Sequence, residues 1–222
     1  SRREVKTLVR EGRVLVDGRI AGSAEEKYDA ESCRIAVNGE ELLLRRHTYV
    51  MLHKPAGVLS ATEDGRGRTV LDLLTPELRK IGVFPVGRLD KDTEGLLLLT
   101  DDGELAHALL SPKKHVDKVY YARVSGRLTP EDCAVFEAGM TLGDGLECLP
   151  AGLEILAAGE TSECLVTLRE GKFHQVKRML AARGKPVTYL KRLSMGSLRL
   201  DDTLAPGEFR LLTAAEEAQL QR

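Results

Sequence analysis

The segment from Gly87 to Gly103 constrains the fold more than any other part of the sequence. Glycines and charged residues are concentrated in Gly87–Gly95, the four leucines Leu96–Leu99 follow, and Thr100–Gly103 is polar again. A short apolar run between polar stretches is typical of a buried strand, so we expect a strand at Leu96–Thr100. The glycine-rich segment before it is then a loop that leaves the core, where catalytic side chains commonly lie.

The rest of the pattern mixes helices and strands without a regular alternation. A helix capped by Ser1 is expected up to Glu11, and the pairs Asp17-Gly18 and Asn38-Gly39 predict tight turns. Further strands are expected at 14–16, 19–20, 34–37, 49–52, 83–86, 118–124, 163–168, 186–190 and 197–200, and helices at 70–74, 103–110, 130–138, 173–183 and 214–221. These elements predict an α+β fold with a largely antiparallel sheet.

Composition predicts a domain boundary near residue 46. The polar residues 38–47 form the expected joint between a small helix–hairpin module, residues 1–46, and a second domain, residues 47–222. The four cysteines form no Cys-x-x-Cys pair, which is typical of reduced thiols and not of a disulfide framework or zinc site. Because no apolar run approaches the roughly 20 residues that cross a bilayer, we predict a cytoplasmic protein without a membrane partner.

Charge is segregated along the chain although the net charge is only −1. Residues 165–199 contain nine Lys and Arg side chains against the single acid Glu170, and the first twenty residues are also basic, with Arg2, Arg3 and Arg10 among them. Clustered cations favour a phosphate backbone because they release its condensed counterions. A solvated charged face has the same composition, so charge alone leaves the partner open.

The acidic residues of the glycine-rich loop allow more than one chemistry. Asp90, Asp92, Glu94, Gly95 and Asp101 match the spacing of a calcium loop, but that loop needs two flanking amphipathic helices, which the apolar neighbours do not provide. The spacing of an aspartyl phosphotransferase motif is off by one residue. The third interpretation is a single nucleophilic carboxylate, Asp90, which is ionised at neutral pH.

Five ordered motifs decide between these interpretations, because together they resemble the pseudouridine synthases. They are His53-Lys54-Pro55-Ala56-Gly57, Gly87-Arg88-Leu89-Asp90 with its continuation to Thr100-Asp101-Asp102-Gly103, Lys118-Val119-Tyr120, Gly171-Lys172-Phe173-His174-Gln175-Val176-Lys177-Arg178-Met179, and Leu204-Ala205-Pro206-Gly207-Glu208. The resemblance is to the branch that contains the ribosomal small-subunit enzyme and covers essentially the whole chain. Its N-terminal unit resembles an RNA-binding module shared with a small-subunit ribosomal protein, and we expect that module to be incomplete at its N-terminus.

The resemblance implies a role for several residues. Asp90 is expected to attack the target uridine, Tyr120 to stack on its base, and Lys177, with Arg178 as the alternative, to pair with Asp90. Arg88 is expected to fill the gap that the flipped uridine leaves, which offsets part of the cost of flipping. The remaining RNA-binding candidates are Lys54 as a phosphate contact, His174 and Arg178 on one helical face, and Arg2, Arg3 and Arg10 in the module.

The expected activity is isomerisation of a specific uridine in ribosomal RNA, with 16S rRNA favoured by the form of the His174–Met179 motif. A 23S rRNA enzyme of the same family and a non-catalytic RNA-binding assembly protein are the alternatives. The expected partner is ribosomal RNA or a ribosomal subunit precursor, and we expect a monomer. We expect no metal and no other cofactor, because the reaction needs neither redox nor group-carrying chemistry.

Overall fold

A computed structural model describes residues 1–29, 33–42, 46–65, 67–111 and 114–220. The chain divides into two compact units, Ser1–His47 and Thr48–Arg222. The predicted α+β class with a mainly antiparallel sheet is confirmed.

The first unit contains one helix, α1 (Arg2–Arg10), among its described residues. Ser1 caps it, because the Ser1 Oγ accepts from the Glu4 N–H and the Glu4 carboxylate binds the Ser1 amino group in return. Four short strands follow in the sheet order β2-β1-β3-β4: β1 (Val14–Val16), β2 (Arg19–Ile20), β3 (Ile35–Val37) and β4 (Glu40–Leu42).

Both turns in this sheet form where the sequence predicts them. Asp17 and Gly18 have φ angles of 50° and 77°, and Asn38 and Gly39 have 56° and 83°. Two successive positive φ angles are the signature of a two-residue hairpin turn. The prediction that residues 38–47 are a polar joint is partly wrong, because β4 lies inside them and pairs with β3. All three of its residues are exposed, so β4 lacks the apolar alternation that would reveal a strand.

The second unit contains eleven strands among its described residues: β5 (Tyr49–Lys54), β6 (Phe84–Pro85), β7 (Glu94–Thr100), β8 (Lys118–Ser125), β9 (Met140–Thr141), β10 (Glu147–Cys148), β11 (Gly152–Ala157), β12 (Thr161–Leu168), β13 (Val187–Met195), β14 (Leu198–Arg199) and β15 (Phe209–Leu211). Nine of them form a large mixed sheet in the order β11-β12-β8-β13-β7-β5-β15, with β14 beside β13 and β6 beside β7, and β9 and β10 form a separate pair. β13 and β7 run parallel, and the other described pairs are antiparallel.

The leucine run forms the predicted buried strand. In β7, Leu96 and Leu98 pack in one apolar cluster and Leu97 and Leu99 in another, so both faces of the strand are covered. Helices α3 (Gly103–Leu110) and α6 (Ala214–Leu220) contribute to the first cluster. The second cluster contains a 3-10 helix (Val70–Leu73), where a helix was predicted at 70–74, and α2 (Pro76–Ile81), which was not predicted.

A third apolar cluster lies between β8, β12 and the helices α4 (Pro130–Ala138) and α5 (Gln175–Ala182). Helix α5 begins two residues later than predicted, because His174 has φ 51° and ψ 32°, outside the right-handed helical region. Among the described residues no helix is long and apolar enough to cross a membrane.

Gly95 at the start of β7 fixes the close approach of three strands. It is paired with Lys54 of β5 on one side and with Arg192 of β13 on the other. A Cβ on Gly95 would lie 2.2 Å from the Arg192 carbonyl oxygen, and its φ is +106°, so a residue with a side chain does not fit here. The glycine thereby brings the residues before β7 against both neighbouring strands.

Candidate active site

Asp90 lies in residues 87–93, which we call the Asp90 loop and which lead directly into β7. The loop is anchored by Lys54, the last residue of β5, which is fully buried at 0% exposure. Four backbone carbonyls lie within hydrogen-bonding distance of the Lys54 Nζ and share its three N–H donors, those of Pro55 (3.0 Å), Asp90 (3.1 Å), Lys91 (3.3 Å) and Thr93 (2.9 Å). Three of these belong to the Asp90 loop, so a single ammonium group holds its backbone.

The position of Lys54 corrects one expectation of the sequence analysis. A fully buried ammonium has no surface to offer an RNA phosphate, so Lys54 supports the loop instead of contacting RNA. Burial lowers the pKa of Lys54 to about 8, against a partial upward effect of the carboxylates of Asp92, Asp90 and Glu94.

On the other side of the loop, Lys177 of α5 bridges two carboxylates. Its Nζ lies 2.9 Å from the Asp90 Oδ2 and 2.6 Å from the Asp92 Oδ1. Burial alone lowers the pKa of Lys177, but the hydrogen bonds to Asp92 and Asp90 outweigh this and raise it above its ordinary value. The same hydrogen bond from Lys177 lowers the pKa of Asp92. Lys177 therefore stays cationic and offsets the charge of Asp90.

The packing of α5 explains why Lys177, and not its neighbour, reaches Asp90. Val176, Met179 and Leu180 are buried against the core. Arg178 points away and forms an ion pair of 2.6 Å with Asp144 in the turn between β9 and β10. The sequence analysis left Lys177 and Arg178 open as partners of Asp90, and in the structure the partner is Lys177.

His174 provides a second basic group near Asp90. Its Nε2 lies 3.5 Å from the Asp90 Oδ1, and its ring stacks on Phe173 with centroids 3.8 Å apart. Phe173 is 68% exposed although it is a large apolar residue. An exposed aromatic ring beside a carboxylate gives the site a flat surface on which a base can stack.

Two adjoining cavities open beside the Asp90 carboxylate. The larger holds about 370 Å³ and the smaller about 70 Å³, and Arg88, Asp90 and Tyr120 are in the walls of both. Tyr120 of β8 is 9% exposed, whereas Arg88 is exposed. Within the described part of the chain Arg88 forms no ion pair with Asp90, so its guanidinium remains available to a ligand. Asp90, Tyr120, Lys177, Arg88 and His174 thus come together at one place.

The N-terminal candidates belong to the first unit. Arg2, Arg3 and Arg10 are all exposed on α1, and Glu4 is the acidic residue in its first turn. Their charges are accessible to solvent, as a phosphate contact requires.

The alternative calcium loop is wrong, because its proposed ligands do not converge. Asp90 and Asp92 are bound to Lys177, while Glu94 accepts from the Tyr189 hydroxyl at 2.8 Å. Asp101 accepts from the backbone N–H of Thr48 at the far end of β7. Among the described residues no group of His, Cys, Asp and Glu side chains is arranged to hold a metal ion.

Two residues in the wall of the larger cavity were missed from the sequence, Lys118 and Arg192. Lys118 had a usable signal, because it lies two residues before Tyr120 in a strand and so shares its face. Arg192 had none, since it reaches the site only through the parallel pairing of β13 with β7.

Comparison with known proteins gives two family matches. The family described as RNA pseudouridylate synthase matches residues 48–182, and the S4 domain matches residues 1–32. The chain is also similar to a solved structure titled as a pseudouridylate synthase, with a TM-score of 0.73 and 34% identity over 99% of this chain and 94% of that one.

Curated relatives extend the similarity along the whole chain. An uncharacterized RNA pseudouridine synthase of Bacillus subtilis is 50% identical over 97% of this chain and 91% of its own length. The ribosomal small subunit pseudouridine synthase A of Vibrio cholerae is 40% identical, with 99% and 94% covered. The ribosomal large subunit pseudouridine synthase B of Bacillus subtilis is 38% identical, with 100% and 90% covered.

Proposed function

The chain belongs to the RNA pseudouridylate synthase family and contains an S4 domain, and we propose that it isomerises a uridine of small-subunit (16S) ribosomal RNA to pseudouridine. The observation that carries the proposal is that Asp90 and Tyr120 line the same cavity while Lys177 forms an ion pair with Asp90, all within the matched family region. A non-catalytic RNA-binding protein would have no use for a carboxylate kept beside a lysine in a partly enclosed pocket.

The reaction is an internal rearrangement, so the pocket must hold one nucleotide while its base turns. The bond from N1 of the uracil to C1′ of the ribose breaks, and a bond from C5 to C1′ forms. The hydrogen on C5 leaves as a proton and N1 gains one, so atoms and charge balance. The protein has to supply a carboxylate, a hold on the base and shielding from water.

Each role follows from the geometry of one side chain. Asp90 is the catalytic carboxylate, and Lys177 holds it in place through an ion pair of 2.9 Å. Tyr120 offers a ring from the cavity wall on which the uracil stacks. Arg88, exposed at the mouth, enters the RNA in place of the flipped uridine, and His174 with Phe173 borders the same opening.

The substrate assignment is supported by the relatives and by the His174–Met179 motif. The Vibrio cholerae relative is named for the small ribosomal subunit, at 40% identity over nearly the whole chain. The Bacillus subtilis relative named for the large subunit is 38% identical, and it makes 23S rRNA the second candidate.

The two parts of the chain have separate tasks in this proposal. Residues 1–46 form an RNA-binding module that uses Arg2, Arg3 and Arg10, and residues 47–222 form the catalytic domain. Arg178 adds an RNA contact beside the site. The partner is ribosomal RNA or a ribosomal subunit precursor, and the monomeric state and cytoplasmic location stay predictions.

The decisive variant is Asp90→Asn, which keeps the size of the side chain and removes its charge. We expect RNA affinity within about twofold of wild type and a loss of pseudouridine formation of at least about 10⁴-fold, because the nucleophile is gone. Release of tritium from C5 of the uracil measures the rate. An Asn variant that still converts uridine at an appreciable rate excludes Asp90 as the nucleophile.

The substrate is tested by mapping pseudouridine in both ribosomal RNAs from cells with and without the gene. Loss of one modified position in 16S rRNA supports the proposal, and loss of one in 23S rRNA replaces it by the second candidate. Unchanged maps of both RNAs, with no activity of the purified chain, would favour the non-catalytic alternative.

A further inference from the structure

Two buried cations in the wall of the larger cavity lack an acidic partner. Lys118 is 7% exposed and Arg192 is 2% exposed. The Lys118 Nζ donates to the Val116 carbonyl at 3.1 Å, and the Arg192 Nε donates to the Leu96 carbonyl at 2.8 Å. The Arg192 Nη2 is buried without a hydrogen-bond partner. In the part of the chain that the structure describes, no carboxylate forms an ion pair with either residue.

The carboxylates of the same cavity are already neutralised by other groups. Asp90 is bound by Lys177, and Glu170 pairs with Lys172 at 3.1 Å and accepts from the Gln175 Nε2. Asp117, the acid next to Lys118 in sequence, is bound by Arg169 at 2.8 Å. Among the described residues, Lys118 and Arg192 are therefore left without an ion pair of their own.

Burying a charge without an ion pair costs stability, because a charge taken out of water needs a partner of opposite sign. Burial first and the neighbouring Arg192 second lower the pKa of Lys118, and Asp117 opposes this only in part. Both side chains line the larger cavity, and Arg192 has a donor without a partner, which is typical of a site that an anion completes.

We propose that Lys118 and Arg192 form a subsite for a phosphate group, which during catalysis is the phosphodiester adjoining the uridine at Asp90. That this phosphate belongs to RNA rests on the proposed function, whereas the prediction that the site binds a phosphate group does not. Asp90 and Tyr120 line the same cavity, and its volume of about 370 Å³ lies in the range of about 300–1,000 Å³ common for ligand sites. The subsite would draw the backbone inwards and hold the ribose against the carboxylate.

Inorganic phosphate is the first probe, used on the full chain by isothermal titration against chloride at equal ionic strength. The variants are Lys118→Met, which keeps the shape and removes the charge, Lys118→Arg, which keeps the charge, and Lys80→Met as the matched control on the exposed face of α2. We expect Lys118→Met to bind phosphate about tenfold to a hundredfold more weakly, and the other two to bind like wild type. Equal affinities in all four proteins would overturn the subsite.

A second measurement separates an RNA phosphodiester from free phosphate. A uridine pentanucleotide is compared with the same oligonucleotide whose central linkages are uncharged methylphosphonates. Wild type should prefer the charged form, and Lys118→Met should lose that preference. If only inorganic phosphate responds to Lys118, the site takes free phosphate and the RNA part of the proposal is wrong.

Thermal unfolding without ligand excludes a purely structural role. Because Lys118→Met removes a buried charge that forms no ion pair among the described residues, its melting temperature should equal or exceed that of wild type. A lower melting temperature would assign the ammonium to the fold and count against the subsite. Phosphate binding through Lys118 without pseudouridine formation would refute the proposed function alone, and the reverse result would refute the subsite alone.

Discussion

Lys54 and Lys177 flank the same carboxylate, yet they sit in opposite kinds of environment. Lys54 is fully buried, and its ammonium group lies among four carbonyls, three of them in the Asp90 loop. Lys177 is 22% exposed and binds two carboxylates. Burial lowers the pKa of the first, whereas the acidic partners raise that of the second. A lysine beside a catalytic group can therefore hold the backbone of a loop, as Lys54 does, or form ion pairs with carboxylates, as Lys177 does. The atoms that surround the ammonium group decide between these two roles.

Of the two lysines, Lys177 should have the larger effect on catalysis when it is replaced by Met. Without the ammonium group, Asp90 and Asp92 lose the cation that bridges them. We expect kcat to fall by about 10²–10³, the size of the effect when one charge-stabilising donor is removed from an active site. The rate is measured by tritium release at saturating RNA. A variant within about fivefold of wild type would show that the ion pair between Lys177 and Asp90 is not needed for catalysis.

Lys54→Met should affect the fold before the chemistry. Its loss leaves buried carbonyl groups of Pro55 and the Asp90 loop without a donor, at a cost of about 1–3 kcal/mol in the free energy of unfolding. The cost stays moderate because the Asp90 and Lys91 carbonyls also accept from the N–H groups of Thr93 and Gly57. Urea denaturation measures it. Unchanged stability with a large loss of kcat would mean that Lys54 acts on the reaction and not on the loop.

The pH dependence of stability should separate the two lysines by its sign. The pKa of Lys54 is about 8 in the folded protein and 10.5 ordinarily, so between these values the unfolded state binds more protons and stability rises with pH. The pKa of Lys177 is raised above 10.5, so its contribution is fully present below pH 10.5 and is lost only as the pH rises through its folded value.

The test is the difference in unfolding free energy between wild type and each Met variant, followed from pH 7 to pH 10. For Lys54 the difference should shift in favour of wild type above about pH 8, and for Lys177 it should stay constant. Two flat differences would contradict the environments assigned to these side chains.

These contrasts also show how far the sequence alone can lead. The cap of α1, both hairpin turns and the two-sided burial of β7 follow from local patterns, namely Ser1 with Glu4, Asp17-Gly18 with Asn38-Gly39, and the leucine run. Strands such as β4, whose residues are all exposed, leave no such pattern.

At the site, sequence motifs identify Asp90, Tyr120 and Lys177. The role of each Lys or Arg side chain depends, however, on its burial and on strand pairing between distant parts of the chain. The burial of Lys54 depends on how β5 packs in the finished sheet. Arg192 enters the site because β13 pairs in parallel with β7, nearly one hundred residues earlier in the chain, and no local pattern encodes that contact. Position in the sheet, and not residue type, separates Lys54, which holds the loop, from Lys118 and Arg192, which line the cavity.

Arg178→Met should have the smallest effect and gives the comparison its control. Arg178 follows Lys177 in α5, but it pairs with Asp144, whose side chain is 61% exposed, and an ion pair of that kind contributes about 0–1 kcal/mol to stability. We expect kcat to stay within about twofold of wild type. RNA affinity should weaken by a few-fold, as for one lost phosphate contact. Single-turnover rates and binding curves separate the two effects. If kcat instead falls as far as in Lys177→Met, the catalytic effect depends on the position of the whole helix α5 and not on the ammonium group of Lys177. The loss of activity in Lys177→Met could then no longer be assigned to its ion pair with Asp90.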